Sequence, residues 1–162
     1  MRVARDIMSK PVISVTPTTR LAEVAKTLLY NDISGCPVVD VTGTLRGIVS
    51  RANLLDYSLG VEAGALTPIL RFLVPGVASG YADSLSPLDD ELAVETADVQ
   101  EIMTVDVVSV TPITSLHKVA ESMSLERIHR VPVMDQGKVV GIITSLDLLT
   151  EFARGSQARE EA

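Results

Sequence analysis

The segment Gly141-Ile-Ile-Thr-Ser-Leu-Asp147 sets a hydroxyl and a carboxylate three residues apart, where a short β-branched run gives way to a helix-like pattern. Two chemistries fit that spacing. Thr at an N-cap with an acid at N3 is close to a capping box, which stabilises a helix by roughly 0.5–2 kcal/mol and needs no ligand. The same first turn presents backbone N–H groups and a positive dipole end to an anion, and its carboxylate can accept from both hydroxyls of a ribose diol. A nucleotide would use both features. A second version, Gly47-Ile-Val-Ser-Arg-Ala-Asn53, puts Ser50 and Asn53 where the first has Thr144 and Asp147. An amide accepts at one end and donates at the other, so it neither offers two acceptors to a diol nor carries charge. Two unequal sites are expected.

Other chemistry is poorly supported. The chain has no Ser/His/Asp order, no His/Cys set at metal-ligand spacing, no phosphate loop of the Walker type and no Rossmann glycine fingerprint. No catalytic residue, metal ligand or catalytic cofactor is therefore assigned, and the chain is read as a non-enzyme. His117 has no companion base or ligand near it and falls on a polar helix face, which predicts solvent exposure. Cys36, beside Pro37 and Val38, is expected in the core as a small hydrophobe.

These residues are positioned by a duplicated framework. Aligning 6–40 with 101–135 and 43–55 with 137–149 gives 20 identities in 48 pairs, among them Met8/Met103, Thr16-Pro17/Thr111-Pro112, Pro37-Val38/Pro132-Val133 and Gly47-Ile48/Gly141-Ile142. Each copy reads alike. An extended Val12–Val15 (Val107–Val110) leads to Thr-Pro, where Thr can cap and Pro suits a first helical turn. Leu21, Val24, Ala25, Leu28 and Leu29 recur at helical spacing, as do Leu116, Val119, Ala120, Met123 and, less regularly, Leu125 and Ile128. Two β-branched runs follow, Cys36–Val39 and Leu45–Val49, or Val131–Met134 and Val139–Ile143 around Asp-Gln-Gly-Lys, and read as strands joined by a turn. A last short helix is predicted over Arg51–Leu59 or Ser145–Phe152. The fold class is thus α/β (α+β), two pseudo-symmetric units of order strand-helix-strand-strand-helix. One unit of about 50 residues has too little core to be comfortable alone, so the two are expected to pack on each other.

The predicted boundaries are 1–56 for the first copy, 57–97 for a linker or insertion, 98–153 for the second copy and 154–162 for a flexible tail. Short helices are expected near Thr67–Leu73 and Leu88–Val94. Tyr81–Glu101 carries seven acids and no Lys or Arg, which reads as a solvated face or as a surface that reaches a partner. The whole chain of 162 residues has 14 Lys plus Arg against 21 Asp plus Glu, a net charge of −7, which disfavours a nucleic-acid partner. Aromatics are 3% of a chain that is 46% hydrophobic, so the core must be aliphatic. One Cys, no secretory pattern and no apolar run near the roughly 20 residues of a bilayer span predict a soluble cytoplasmic protein with no membrane association.

The motifs DIMSKPVISVTP and EIMTVDVVSVTP, GCPVVD and RVPVMD, and GIVSRANLL and GIITSLDLL together resemble a tandem pair of CBS domains, the regulatory unit often called a Bateman module. The resemblance covers 3–56 and 98–152. It implies a regulatory, energy-sensing module that binds adenosine nucleotides (AMP, ADP or ATP) in clefts between the copies, forms a homodimer and alters its contact with a regulated partner protein. It places ribose on Thr144 and Asp147, in a cleft shared with Lys10, Pro11, Val12, Ile33 and Ser34. The second cleft would join Ser50 and Asn53 to Val107, Ile128, His129 and Arg130. The run IHRVPV is similar to one in the γ subunit of AMP-activated protein kinase, where His and Arg before the strand meet phosphate. For Arg130, and likewise Arg51, phosphate contact and an ordinary solvated or ion-paired role are both open. The competing reading is a dimerisation scaffold with empty or vestigial clefts. Leu54, Leu55, Leu148 and Leu149 could serve either a dimer face or the internal core.

Overall fold

Helix and strand periodicities of the sequence reappear as two sets of elements in a computed structural model, which describes residues 2–60 and 97–160. The expected helices near Thr67–Leu73 and Leu88–Val94 lie outside the described residues. The elements are α1 (Leu21–Tyr30), β1 (Gly35–Val39), β2 (Leu45–Ser50), α2 (Arg51–Gly60), α3 (Leu116–Leu125), β3 (Arg130–Asp135), β4 (Lys138–Thr144) and α4 (Ser145–Glu160). Strands β1 and β2 form one two-stranded sheet, and β3 and β4 another.

The chain divides into two units that do not coincide with the sequence repeats. Unit 1 comprises Met1–Ile13, Thr42–Leu45 and Asp106–Ala162; unit 2 comprises Ser14–Val41 and Arg46–Val105. Each unit thus takes its leader from the other repeat. In unit 1 the opening residues run beside the second copy: the Ala4 N–H donates to the Thr114 carbonyl at 2.8 Å and the Ser9 N–H to the Ile142 carbonyl at 2.9 Å. In unit 2 the residues leading into the second copy lie beside the first, with Ile48 and Thr104 exchanging both backbone hydrogen bonds at 2.9 Å.

Unit 1 is centred on Ala4, Val110, Val119, Met123, Val131, Val133 and Ile143, with Ile7, Met8, Ile128 and Leu148 packed against them. Its strands β3 and β4 pair antiparallel from Arg130↔Thr144 to Asp135↔Lys138, with an irregularity between Val133 and Met134. The two-residue turn Gln136-Gly137 has positive φ at both positions, the geometry that matches the twist of a hairpin. Unit 2 is centred on Val15, Leu21, Val24, Ala25, Leu28, Cys36, Val38, Val49, Leu54, Ala97 and Val99. Cys36 is buried there, as its neighbours predict.

Several local expectations are corrected. The opening strand of each copy contributes single parallel bridges, Val15↔Val38 and Val110↔Val133. The division between units falls at Ile13/Ser14, inside the first run, and at Val105/Asp106, just before the second; in each run only the last residue, Val15 or Val110, bridges to β1 or β3. Thr-Pro does not start the helices. The Thr19 and Thr114 hydroxyls accept from the Thr16 and Thr111 amides at 3.0 Å, closing a separate turn before α1 and α3 begin. Such side-chain-to-backbone bonds compete with helix initiation. In α3 only Val119 and Met123 are buried, at i and i+4, while Ala120 and Leu125 are exposed off that line. Leu29 of α1 is likewise exposed. Helix α4 continues past Phe152 to Glu160, through a stretch rich in Ala, Arg, Gln and Glu, whose propensity outweighs the lone Gly155.

Candidate functional site

At the start of α4 the hydroxyl–acid pair forms a reciprocal capping box. The Thr144 N–H and the Thr144 hydroxyl both donate to Asp147 Oδ2 at 2.7 Å, and the Asp147 N–H donates back to Thr144 Oγ1 at 3.3 Å. Helix α2 repeats the arrangement with an amide. The Ser50 N–H and hydroxyl donate to Asn53 Oδ1 at 2.9 and 2.8 Å, and the Asn53 N–H donates to Ser50 Oγ at 3.3 Å. Capping is therefore real in both units. It does not use the whole carboxylate: both donations to Asp147 enter Oδ2, and Oδ1 accepts from no group among the described residues.

The boxes also change what the helix starts can offer an anion. The sequence predicts free backbone N–H groups in each first turn, but most are occupied. The Ser145 N–H donates to the His129 carbonyl and the Arg51 N–H to the Ser34 carbonyl, each at 3.0 Å. With the Thr144, Ser50, Asp147 and Asn53 amides inside the boxes, each turn retains one N–H, that of Leu146 or Ala52, without an acceptor among the described residues. Anion binding by a row of amides is ruled out for this conformation; recognition of hydroxyl donors by Asp147 is not.

Within unit 1 the predicted residues that meet the start of α4 are His129, through the Ser145–His129 hydrogen bond, and Arg130, through its pairing with Thr144. Ser9 pairs antiparallel with Ile142, two residues before Thr144, so it is the preceding Ile7 and Met8, not the following Lys10, Pro11 and Val12, that run toward the end of β4. Lys10 and Pro11 are exposed and joined by a cis peptide bond, and Val12 is half-buried. Arg130 sits opposite Thr144 in the β3–β4 register, is half-buried and is not free of partners. His129 is exposed and contributes its carbonyl; Ile128 is packed on the core and Val107 is half-buried. His117 is exposed, as predicted. In unit 2, Ser50, Arg51 and Asn53 have Ser34 as a neighbour through the Arg51 amide, while Ile33 packs on the core. The local partners of each helix start are thus the pre-strand residues of its own copy and the leader that belongs to its unit.

Some residues escape the sequence reading. The Asn53 amide nitrogen donates to Thr104 Oγ1 at 3.4 Å, a contact that motif spacing does not show because Thr104 is the leader of the other copy. Asp147 also lines a pocket of about 250 Å³ with Asp6, Ile7, Met8, Thr150, Glu151 and Arg154. Of these only Asp147 was nominated from the sequence. Arg2 forms an ion pair with Glu151 beside it. Met8 and Met103 were visible as repeat identities, but their role was not: each covers a glycine, Gly141 and Gly47 respectively.

The leucines separate cleanly. Leu54 is fully buried in unit 2 and Leu148 packs on the unit 1 core, whereas Leu55 and Leu149 are exposed. On α4 Leu146, Leu149 and Phe152, three residues apart, are 69%, 64% and 74% exposed. No helix among the described residues is long and apolar enough to cross a membrane.

Comparison with known proteins agrees with this architecture. The CBS domain model matches residues 4–60 and 99–154. The CBS domain-containing protein YhcV of Bacillus subtilis is 26% identical over 148 residues, covering 91% of this chain and 84% of that one. Among solved structures, the CBS domain of a CBS domain containing membrane protein from Sphaerobacter thermophilus is 32% identical with a TM-score of 0.72, covering 91% and 86% of the two chains. A CBS domain pair solved in complex with 5′-methylthioadenosine and S-adenosyl-L-methionine is 27% identical with a TM-score of 0.65, covering 95% and 98%. With the model matched twice and the repeats folded as α/β units, this chain belongs to the CBS-domain family and carries its domain as a tandem pair.

Proposed function

We propose that this chain is a regulatory module of the cytoplasm that binds an adenosine nucleotide, AMP, ADP or ATP, and converts occupancy into a change of self-association or of contact with a partner protein. It senses nucleotide level and performs no catalysis of its own. The observation that carries the reading is Asp147: its Oδ2 closes the cap with Thr144, while Oδ1 stays available to accept from a ribose hydroxyl. The similar pair solved with two adenosine-bearing ligands supports the same chemical class. Lys10, Pro11, Val12, Ile33 and Ser34 belong to the proposed set, with Val12 and Ile33 supplying apolar walls for adenine. Arg51, Val107, Ile128, His129 and Arg130 are proposed for the weaker set around Ser50 and Asn53. Binding regulates only in so far as one arrangement of the protein binds the ligand better than another.

Thermal melts test this with AMP, ADP, ATP, 5′-methylthioadenosine and S-adenosylmethionine. A ligand at 100 times its dissociation constant stabilises the fold by about 2.7 kcal/mol. Failure of every one of these to move the melt would reject the nucleotide reading.

A second reading, a dimerisation scaffold without a ligand, is favoured by the exposed Leu146, Leu149 and Phe152 on α4. In that case the protein self-associates through this helix whether or not a nucleotide is present. A dimer whose mass and stability ignore all five ligands would select it.

A further inference from the structure

The two leaders are held by the same backbone bonds. The Leu116 N–H donates to the Arg2 carbonyl at 3.3 Å, and the Leu21 N–H to the Ala97 carbonyl at 3.2 Å. The Ala4 and Val99 N–H groups donate to the Thr114 and Thr19 carbonyls at 2.8 and 2.9 Å, and Ser9 pairs with Ile142 as Thr104 pairs with Ile48. Ile7-Met8 and Ile102-Met103 are identical, and each Met covers a glycine. Main-chain bonds supply affinity and leave selectivity to side chains. Nothing in this shared framework sends the first leader to the second copy rather than to its own.

The side chains that differ between the leaders do so. Arg2 forms an ion pair with Glu151, the seventh residue of α4; the seventh residue of α2 is Tyr57, which packs on the unit 2 core. Arg20, the N-cap of α1, pairs with Asp98 at 3.1 Å, whereas the N-cap of α3 is Ser115 and the counterpart of Asp98 is Val3. Ala97, the counterpart of Arg2, is only 5% exposed. With the leaders transposed, both ion pairs are lost, Asp98 faces a serine, and Arg2 has to enter the nearly closed place of Ala97, where an unpaired charge is costly. Ala4 and Val99 are each fully buried, so transposition also overfills one seat and leaves a void in the other.

We propose that the ion pairs Arg2–Glu151 and Arg20–Asp98, together with the small Ala97, are keys that assign each leader to the opposite copy and hold off a self-paired form in which each repeat is closed by its own leader. Exposed ion pairs add little to stability. Selectivity, however, is a difference between two states, and here the competing state keeps every backbone bond of the native one. The first leader is also made before the second, so it meets the strand around Gly47 before residues 99–104 exist to cover it.

The test is disulfide competition in the full chain carrying Ser9→Cys, Ile48→Cys and Ile142→Cys. The thiol at position 9 then has two partners to choose from, one for each pairing. Refolding in a glutathione redox buffer followed by peptide mapping reads the ratio of the two bridges, and the 9–142 bridge should predominate. Adding Arg20→Gln and Glu151→Gln removes both ion pairs without touching a fully buried side chain, and should raise the ratio of 9–48 to 9–142 by about 2- to 30-fold, the worth of two exposed pairs. Transposing the leader residues, with Arg2→Ala, Val3→Asp, Ala4→Val, Ala97→Arg, Asp98→Val and Val99→Ala, should make 9–48 the major bridge. An unchanged ratio in the ion-pair variant overturns the proposal, whether or not the transposed chain folds. So does a 9–142 bridge that persists undiminished in a folded transposed chain, because the connecting segments rather than these side chains would then set the pairing.

Discussion

Met8 lies across Gly141, its Cγ only 2.7 Å from where a Cβ would stand, and Met103 repeats the relationship over Gly47, with its sulfur at 2.8 Å from that point. Two identities that the repeat alignment records separately, the Met of each leader and the Gly of each strand, are thus one packing arrangement. Each leader reaches the strand of the other copy and seats an adaptable thioether where the strand has no side chain.

Gly141→Ala is therefore expected to cost about 1–3 kcal/mol, the usual penalty for overpacking. Gly47→Ala should cost at least as much, because its added Cβ would also stand 2.8 Å from the Thr104 carbonyl, which cannot swing away like a side chain. Urea unfolding checks both. Pairing Gly141→Ala with Met8→Ala should recover part of the loss; strictly additive penalties would show that Met8 is not the obstacle.

Asp147 separates cap from ligand. Asp147→Ala removes the acceptor for the Thr144 amide and hydroxyl, so the unliganded protein should lose roughly 0.5–2 kcal/mol in denaturant melts. Asp147→Asn should lose less, since Asn53 already makes the same box in α2. If Asp147→Ala lowers the melt of the free protein and leaves nucleotide affinity unchanged, the residue serves the helix alone.

Adjacent leucines in α2 should behave differently. Leu54 is fully buried in unit 2, and Leu54→Ala is expected to cost about 2–5 kcal/mol. Leu55 is 38% exposed, and Leu55→Ala should stay within about 1 kcal/mol, closer to a surface substitution. Equal losses at the two positions, measured by equilibrium unfolding, would contradict this packing.

The exposed face of α4 bears on self-association. Replacing Leu149 and Phe152 together by Lys should leave the unfolding midpoint nearly unchanged, since both are mostly exposed, yet shift sedimentation toward the monomer. A mass unaffected by the pair of substitutions would remove α4 from any dimer.

Much of this was legible in the sequence, and what was not has a common physical cause. Val24, Leu28, Val38, Val119 and Val133 announce their burial by periodicity, and the Thr144–Asp147 spacing announces a helix start. Those signals are local. The Asn53–Thr104 contact, the Ser145–His129 bond that occupies a first-turn amide, and the cover of Gly141 by Met8 all join residues distant along the chain. Spacing within a motif carries no information about them. The Thr-Pro segments differ for another reason: the Thr19 and Thr114 hydroxyls accept from the Thr16 and Thr111 amides and close a separate turn before each helix, a bond that the Thr-Pro pair itself does not announce.

The exchange of leaders sets an order of events during synthesis. Ala4 and Ser9 are made more than a hundred residues before their hydrogen-bond partners, Thr114 and Ile142. Unit 1 consequently has to wait for its later residues, holding its early stretch unpaired while the intervening chain is translated at about 5–20 residues per second. Unit 2, whose parts are all made by Val105, is free to form first.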